Sequence, residues 1–348
     1  MLILKRRRVD MIFETILDTI GFTPLVKLPV PLGSSRVLLK LEKTNPGQSM
    51  KDRMALSMVK RAMAEGRLEP GGTIVESSSG NTGTGLALIA AQMGFKFIAV
   101  VDHHAAQDKI RVMRAYGAEI RYVSQQSENQ VATAEREQLA RHLGATIPGA
   151  CFMGQAENPA NPEGYEDLAH DLLRDTRGHI DYLVGCVGTG GSLCGTAKFL
   201  TPSVPDLTVV GVEPVGSIVF GGEGGPYYQS GTGVPPSVEV GSNVDYDLLH
   251  VGRKVSDHAA FGTSRYIARR FGILVGGAAG GAIYESLQVA RQHPGSTVVC
   301  LVCDGGEKYL DTIFNDEWLQ ARNLVSPHID AELNALFNKP TSNAIVTP

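Results

Sequence analysis

The chain has 348 residues, 43% apolar, 20% charged and 6% aromatic, with a formal net charge of -4. That length accommodates one large or two ordinary domains with buried cores, and the slightly acidic balance with few aromatics excludes a basic nucleic-acid face or a stacking platform for single strands. Forty glycines cluster between apolar runs without a fixed period, which excludes a collagen-like chain and points to anion-binding loops after strands.

At the amino terminus, MLILKRRRVD places its charges after a short apolar run, unlike a signal peptide, and Met11 is an alternative start. A short segment follows at 20–28, and then a strand pattern at 35–42, SRVLLKLE. The next stretch, TNPGQSMKDRMALSMVKRAMAEG at 44–66, reads as a helix. Ser49 and Asp52 have helix-start spacing, Met54, Met58, Val59, Ala62 and Met63 form an apolar stripe, and Gly66 closes it. Lys51 then falls in the first turn, where the helix dipole disfavours a cation. A lysine held as a neutral imine nitrogen escapes that penalty, so Lys51 is the candidate Schiff-base residue.

Strand and helix patterns alternate from there. Strands are expected at 72–76, 96–102 and 119–123, with helices after residue 82 and over 107–116. A proline- and asparagine-rich run at 146–162 has the texture of a domain crossing. A second series follows, with strands at 181–187, 207–213, 273–275 and 297–303, and a helix over 282–292. Residues 221–240, rich in glycine and proline, read as a long surface loop. The order implies an α/β fold with parallel sheet and right-handed crossovers. No run approaches the roughly 20 apolar residues of a membrane span.

Two turns carry chemistry. GTGGS, Gly188 to Ser192, joins a strand to a helix, so its N–H groups and the helix dipole can converge on a phosphate; the alternative is a tight turn without a ligand. It lacks the spacing of a dinucleotide fingerprint and the lysine of a P-loop. SSSGNT at 77–82 suits a carboxylate, which accepts several hydrogen bonds at once, although Ser79 or Asn81 could simply cap a helix. A lysine, a phosphate loop and a carboxylate loop together describe pyridoxal phosphate holding an amino acid.

The motifs NPGQSMKDR at 45–53, ESSSGNTG at 76–83, QAENPANP at 155–162, GTGGS, GVEPVGS at 211–217 and DGGEKYLD at 304–311 resemble, in order and spacing, the cysteine synthase and cystathionine β-synthase family. GSIVFGG at 216–222 and FNDEWL at 314–319 are most similar to its diaminopropionate-forming branch, the N-(2-amino-2-carboxyethyl)-L-glutamate synthase-like enzymes. The resemblance implies fold type II of the pyridoxal phosphate enzymes, tryptophan synthase β-like: two open, mostly parallel twisted sheets flanked by helices. Residues 1–43 and 151–330 would form a large cofactor-binding domain, 44–150 a small mobile domain for the substrate carboxylate, and 331–348 a C-terminal tail.

It also implies pyridoxal 5'-phosphate on Lys51, with Asn81 at the phenolic oxygen and Gly188, Thr189, Gly190, Gly191 and Ser192 around the phosphate. Ser78, Ser79, Thr82 and Gln155 would bind the substrate carboxylate. No metal is expected. The implied reaction is β-replacement on O-phosphoserine or O-acetylserine through an aminoacrylate, with an amino-acid amine as nucleophile. Alternatives are sulfide or homocysteine as nucleophile, a serine/threonine dehydratase, or a non-catalytic binding protein of the same fold. A homodimer acting on small amino acids is implied as well, with neither nucleic acid nor membrane as partner.

Two positions depart from the family. Ala278 stands where a serine usually meets the pyridine nitrogen, and 167–170 reads Asp-Leu-Ala-His where Thr-Thr-Gly-Pro is common. Cys303, in place of a proline, is either the replacement at the ring nitrogen or a core cysteine. Cys300 and Cys303 form a Cys-x-x-Cys inside a buried-strand pattern, which favours core cysteines over a redox motif. Five scattered cysteines fit a reducing, cytoplasmic setting. His103 and His104 are expected on a solvated loop, Trp318 in the core, and Tyr227 and Tyr228 either touch a second substrate or pack their loop.

Overall fold

The structure, a computed structural model, describes residues 12–103, 105, 107–123 and 133–338; His104, Met11 and the basic amino-terminal run lie outside these. In chain order the elements are β1 (Leu25–Leu28), β2 (Arg36–Leu41), α1 (Lys51–Ala64), β3 (Thr73–Ser77), α2 (Asn81–Met93), β4 (Lys96–Val101), α3 (Gln107–Ala115), β5 (Glu119–Tyr122), α4 (Thr133–Thr146) and β6 (Ala150–Phe152). There follow α5 (Ala160–Glu163), α6 (Glu166–Thr176), β7 (Tyr182–Cys186), α7 (Gly191–Leu200), β8 (Thr208–Pro214), β9 (Val251–Val255), α8 (Asp257–Phe271), α9 (Gly277–Gln292), β10 (Thr297–Val302), α10 (Asp316–Gln320) and α11 (Pro327–Phe337).

Two sheets organise the chain. One has the order β1-β2-β10-β7-β8-β9, the other β5-β4-β3-β6. Only β1 runs antiparallel to its neighbour. The central strands are continuous apolar runs because helices cover both faces: β10 is buried at every residue.

In each sheet the chain leaves in one direction and returns on the other side of a strand. The reversals fall between β7 and β10 and between β3 and β6. Ligand sites in open α/β sheets lie at the carboxyl ends of strands flanking such a reversal. Here those ends are followed by GTGGS after β7, Cys303-Asp304 after β10, Ser78 to Asn81 after β3 and Gln155 after β6. Both sequence-predicted loops therefore stand at the switch points.

Several expectations need correction. A boundary at residue 150 cuts through β6, whose Cys151 pairs with Ile74 of β3, so that strand belongs to the four-stranded sheet. Residues 331–337 are not tail: they complete α11, which buries Leu333 and packs on α8. Ile273 to Val275 is no strand, since Val275 makes only an isolated bridge with Gly305. The methionines of α1 are core as expected, with Met54 and Met58 fully buried. Trp318 is only half-buried, edge to face with Tyr228 at 5.6 Å. His103 is exposed and stacks on the Tyr122 ring at 5.0 Å. Among the described residues no helix is long and apolar enough to cross a membrane.

Candidate active site

Lys51 is the first residue of α1. Its N–H donates to Ser49 Oγ at 3.2 Å, but Asp52 does not reciprocate as a cap; its carboxylate accepts from Gly47 N at 2.6 Å. The preceding turn is held from outside the helix. Met50 N donates to Cys303 O at 2.9 Å, Gly305 N to Gln48 O at 3.4 Å, and Lys308 Nζ to Gly47 O at 2.9 Å. Gln48 takes a left-handed backbone (φ 61°) within that strap. Burial lowers the Lys51 pKa, opposed by Cys303, Asp304 and Cys186. An amine with a lowered pKa is neutral more of the time near neutral pH than a free lysine, and is therefore more available as base and nucleophile.

Lys51 is shared by two cavities. The smaller, about 20 Å³, is bounded by Asn81, Gly188, Thr189, Gly190, Ser192 and Cys303, with Cys186 and Asp304. The larger, about 240 Å³, is bounded by Ser78, Thr82, Gln155 and Glu76. The structure thus brings Lys51, Asn81, the GTGGS loop and Cys303 together, and Ser78, Thr82 and Gln155 together on the other side of the same lysine.

Ser79 does not join them. Its hydroxyl accepts from Arg136 at 3.3 Å and faces a separate cavity. Ser78 Oγ instead accepts from Gly80 N at 3.2 Å and Gly83 N at 3.1 Å, and Thr82 Oγ1 donates to Gln155 Oε1 at 2.7 Å.

The GTGGS loop has the features a phosphate requires. Its five N–H groups have no backbone partner among the described residues, and the loop opens α7, whose positive dipole end adds to them. Gly190 has φ 82°, and a Cβ there would collide with the Asn243 carbonyl. The side chain of Asn161 fixes the approach, donating to Gln155 O at 2.7 Å and Thr189 Oγ1 at 3.3 Å.

At the opposite end, Cys186 Sγ donates to the Ala278 carbonyl at 3.0 Å. A hydrogen bond with Cys186, then burial, raises the Cys303 thiol well above its ordinary range, so it is neutral. Cys303 lines the Lys51 cavity and also packs against the core. Asn81 Nδ2 donates to Asp304 Oδ2 at 2.9 Å, and Lys308 Nζ to Asn81 Oδ1 at 2.8 Å.

A model of pyridoxal-phosphate dependent enzymes matches residues 16–304. The chain belongs to that family. It is 56% identical over 332 residues, 94% of this chain and 99% of the relative, to a Sinorhizobium fredii protein provisionally described as a cysteine synthase. Among solved structures it is similar to the O-acetylserine dependent cystathionine β-synthase of Helicobacter pylori, at 34% identity, TM-score 0.78, and coverage of 87% of this chain and 98% of that one. It is also similar to O-ureido-L-serine synthase, at 33% identity, TM-score 0.81, and coverage of 89% and 100%. The protein is a pyridoxal 5'-phosphate dependent enzyme of the cysteine synthase type, and the orphaned amides, the glycine cradle and the buried lysine fit that cofactor.

Sequence reasoning did not single out Glu76, Cys186, Asn161, Asp304 or Lys308. Glu76, Asn161, Asp304 and Lys308 lie inside three of the motifs that carry the resemblance, which was the available signal; Cys186 had none. Glu76 is buried in the cleft, and its carboxyl is pushed up to about 7 by burial, although Ser77 N donates to it at 2.8 Å and Gln155 N at 3.3 Å.

Proposed function

We propose that the enzyme exchanges the β-substituent of an O-activated L-serine for an amino-acid amine, forming a 2,3-diaminopropionate precursor. The observation that carries β-replacement is the sharing of Lys51 between the cavity at the GTGGS loop and the cleft of Ser78, Thr82 and Gln155. When bound to Lys51, pyridoxal phosphate supplies an electron sink for negative charge at the substrate Cα.

The chain supplies the rest. Gly188, Thr189, Gly190, Gly191 and Ser192 would hold the phosphate, Asn81 the phenolic oxygen, and Cys303 would serve the ring nitrogen as a neutral partner. Ser78, Thr82 and Gln155 orient the α-carboxylate; Ser79, which faces elsewhere, is outside this set. The Lys51 amine, which borders both cavities, would take the Cα proton of the bound substrate. Movement of the four-stranded unit over the carboxylate excludes water from the cleft.

The charges in the cleft favour acetate over phosphate as the leaving group. Glu137, Glu157 and Glu239 line the cleft with Arg141 and Lys51, Glu76, raised to about 7, adds a partial charge, and Arg141 is already engaged by Glu137 and Glu157 at 2.7 Å each. A dianionic phosphate would add to an acidic wall, whereas an approaching ammonium is attracted to it. That attraction supports an amine as nucleophile. A second reading, with sulfide or homocysteine, is supported by the relatives described as cysteine synthase and cystathionine β-synthase.

The deciding experiment mixes holoenzyme with O-acetylserine or O-phosphoserine, adds amino acids, sulfide or homocysteine in turn, and identifies products by mass. Amine adducts from O-acetylserine are expected. Product from sulfide or homocysteine alone would establish the second reading, and failure to consume either serine derivative would overturn β-replacement.

A further inference from the structure

On the far side of the Ser79-Gly80 turn from the substrate cleft lies a cavity of about 250 Å³ that the proposed reaction does not use. Two lysines reach it from different elements. Lys109, from α3, is 6% exposed; its Nζ donates to Ser230 Oγ at 3.0 Å and sits 4.9 Å from the centre of the Tyr309 ring. Lys308 follows β10, and its Nζ donates to the Gly47 carbonyl and Asn81 Oδ1.

Neither ammonium has a carboxylate within 4.0 Å among the described residues. Asp304 is the negative group that acts on both, but its Oδ2 already accepts from Asn81 and, at 2.6 Å, from the Tyr309 hydroxyl. Glu307, next in sequence to Lys308, is paired with Lys43 at 2.7 Å. Burial depresses both lysine pKa values, as expected of cations whose charge is not matched in the fold. Tyr228 and Trp318, edge to face, also line the cavity, and the Arg322 guanidinium lies over both rings.

We propose that this cavity binds a small organic acid, with its carboxylate between Lys109 and Lys308 and its apolar body against Tyr228 and Trp318. Cations beside aromatic rings in one cavity match an amphipathic anion better than a bare one. Occupancy is felt at the cofactor site through two residues. Ser230, the partner of Lys109, also lines the Lys51 cavity, and so does Asn81, the partner of Lys308. The assignment is independent of which nucleophile the enzyme uses.

Trp318 is the only tryptophan of the chain, so its fluorescence reports on this cavity. The holoenzyme is titrated with benzoate, with its uncharged isostere benzamide, and with sulfate. A saturable change with benzoate and none with benzamide is expected, accompanied by a shift of the cofactor absorbance along the same curve. Lys109→Met should weaken the benzoate response at least tenfold, and Lys109→Arg should retain it. Gln155→Ala, in the substrate cleft, should leave it unchanged.

Equal responses to benzoate and benzamide would overturn the proposal, as would a wild-type response in Lys109→Met. Loss of the response in Gln155→Ala would place the acid in the cleft instead, and a response to sulfate equal to that with benzoate would make this a bare-anion site. Should Lys109→Met fail to fold, the benzoate and benzamide comparison on the wild type and the Gln155→Ala arm still decide.

Discussion

Glu76 gives the enzyme a pH-dependent stability that one substitution should remove. Its carboxyl, 1% exposed, is raised from 4.5 to about 7, so the folded state binds a proton more tightly than the unfolded chain. The contribution is fully present below pH 4.5 and is lost as pH rises through about 7. A shift of that size corresponds to about 3 kcal/mol of destabilisation once the group is charged in the fold. Glu76→Gln removes the titration but supplies one acceptor oxygen where two N–H groups donate, at a cost of about 1 kcal/mol.

The variant should therefore be about 1 kcal/mol less stable than wild type below about pH 4, nearly equal to it at about pH 5, and about 2 kcal/mol more stable at about pH 8.5. Urea unfolding of both proteins across that range measures the crossing, and Asp52, also raised to about 7 by burial, cancels in the difference. A stability difference that stays constant with pH would refute the argument.

Lys51→Ala should abolish the imine absorbance of the holoenzyme and lower turnover by at least about 10²-fold, the usual contribution of a positioned general base; absorbance and product formation check it. Gly190→Ala forces a Cβ into the Asn243 carbonyl at positive φ, with an expected cost of about 1–3 kcal/mol and faster loss of cofactor on dialysis. Cys303→Ala should shift the cofactor spectrum and lower turnover while Cys303→Ser largely restores both; an unchanged spectrum would remove Cys303 from the cofactor site. Glu42→Gln removes the nearest carboxylate of Arg53, at 2.7 Å with both side chains buried, leaving only Asp171 at 4.0 Å, and should cost about 3 kcal/mol in denaturant unfolding.

The parallel strands were legible because burial on both faces writes them as apolar runs, as in Val298 to Val302 of β10. The edge strand β9 was not, since three of its five residues, Gly252 to Lys254, are exposed, and β6, with three residues, is too short to show a pattern. Lys51 was legible as a charge in the wrong turn. What a sequence cannot distinguish is which of three successive serines turns inward: Ser78 and Ser79 have the same chemistry, and the backbone after β3 sends them to different cavities. The Cys186 and Cys303 contact was hidden for a related reason, because it requires β7 and β10 to be neighbours across more than a hundred residues of chain.

The placement of Lys51 does not come from its helix alone. An isolated α1 would begin with a cation on the positive end of its dipole and no reciprocal capping box. The turn at 47–50 is instead strapped to the end of β10 by the Ser49 and Asp304 bridge, the Met50 and Cys303 bond and Lys308, while Arg53 ties the next part of the helix to Glu42 beyond β2. Lys51 is thus fixed to the six-stranded sheet, whereas Asn81, Ser78 and Thr82 ride on the end of the four-stranded one. Relative movement of the two sheets would alter the Asn81 bonds to Asp304 and Lys308 and the packing of α1 on α2. The same geometry makes Lys308 a common member of three assemblies, the strap, the Asn81 contact and the second cavity, so an anion that draws its ammonium away acts on the point where the carboxylate loop meets the cofactor site.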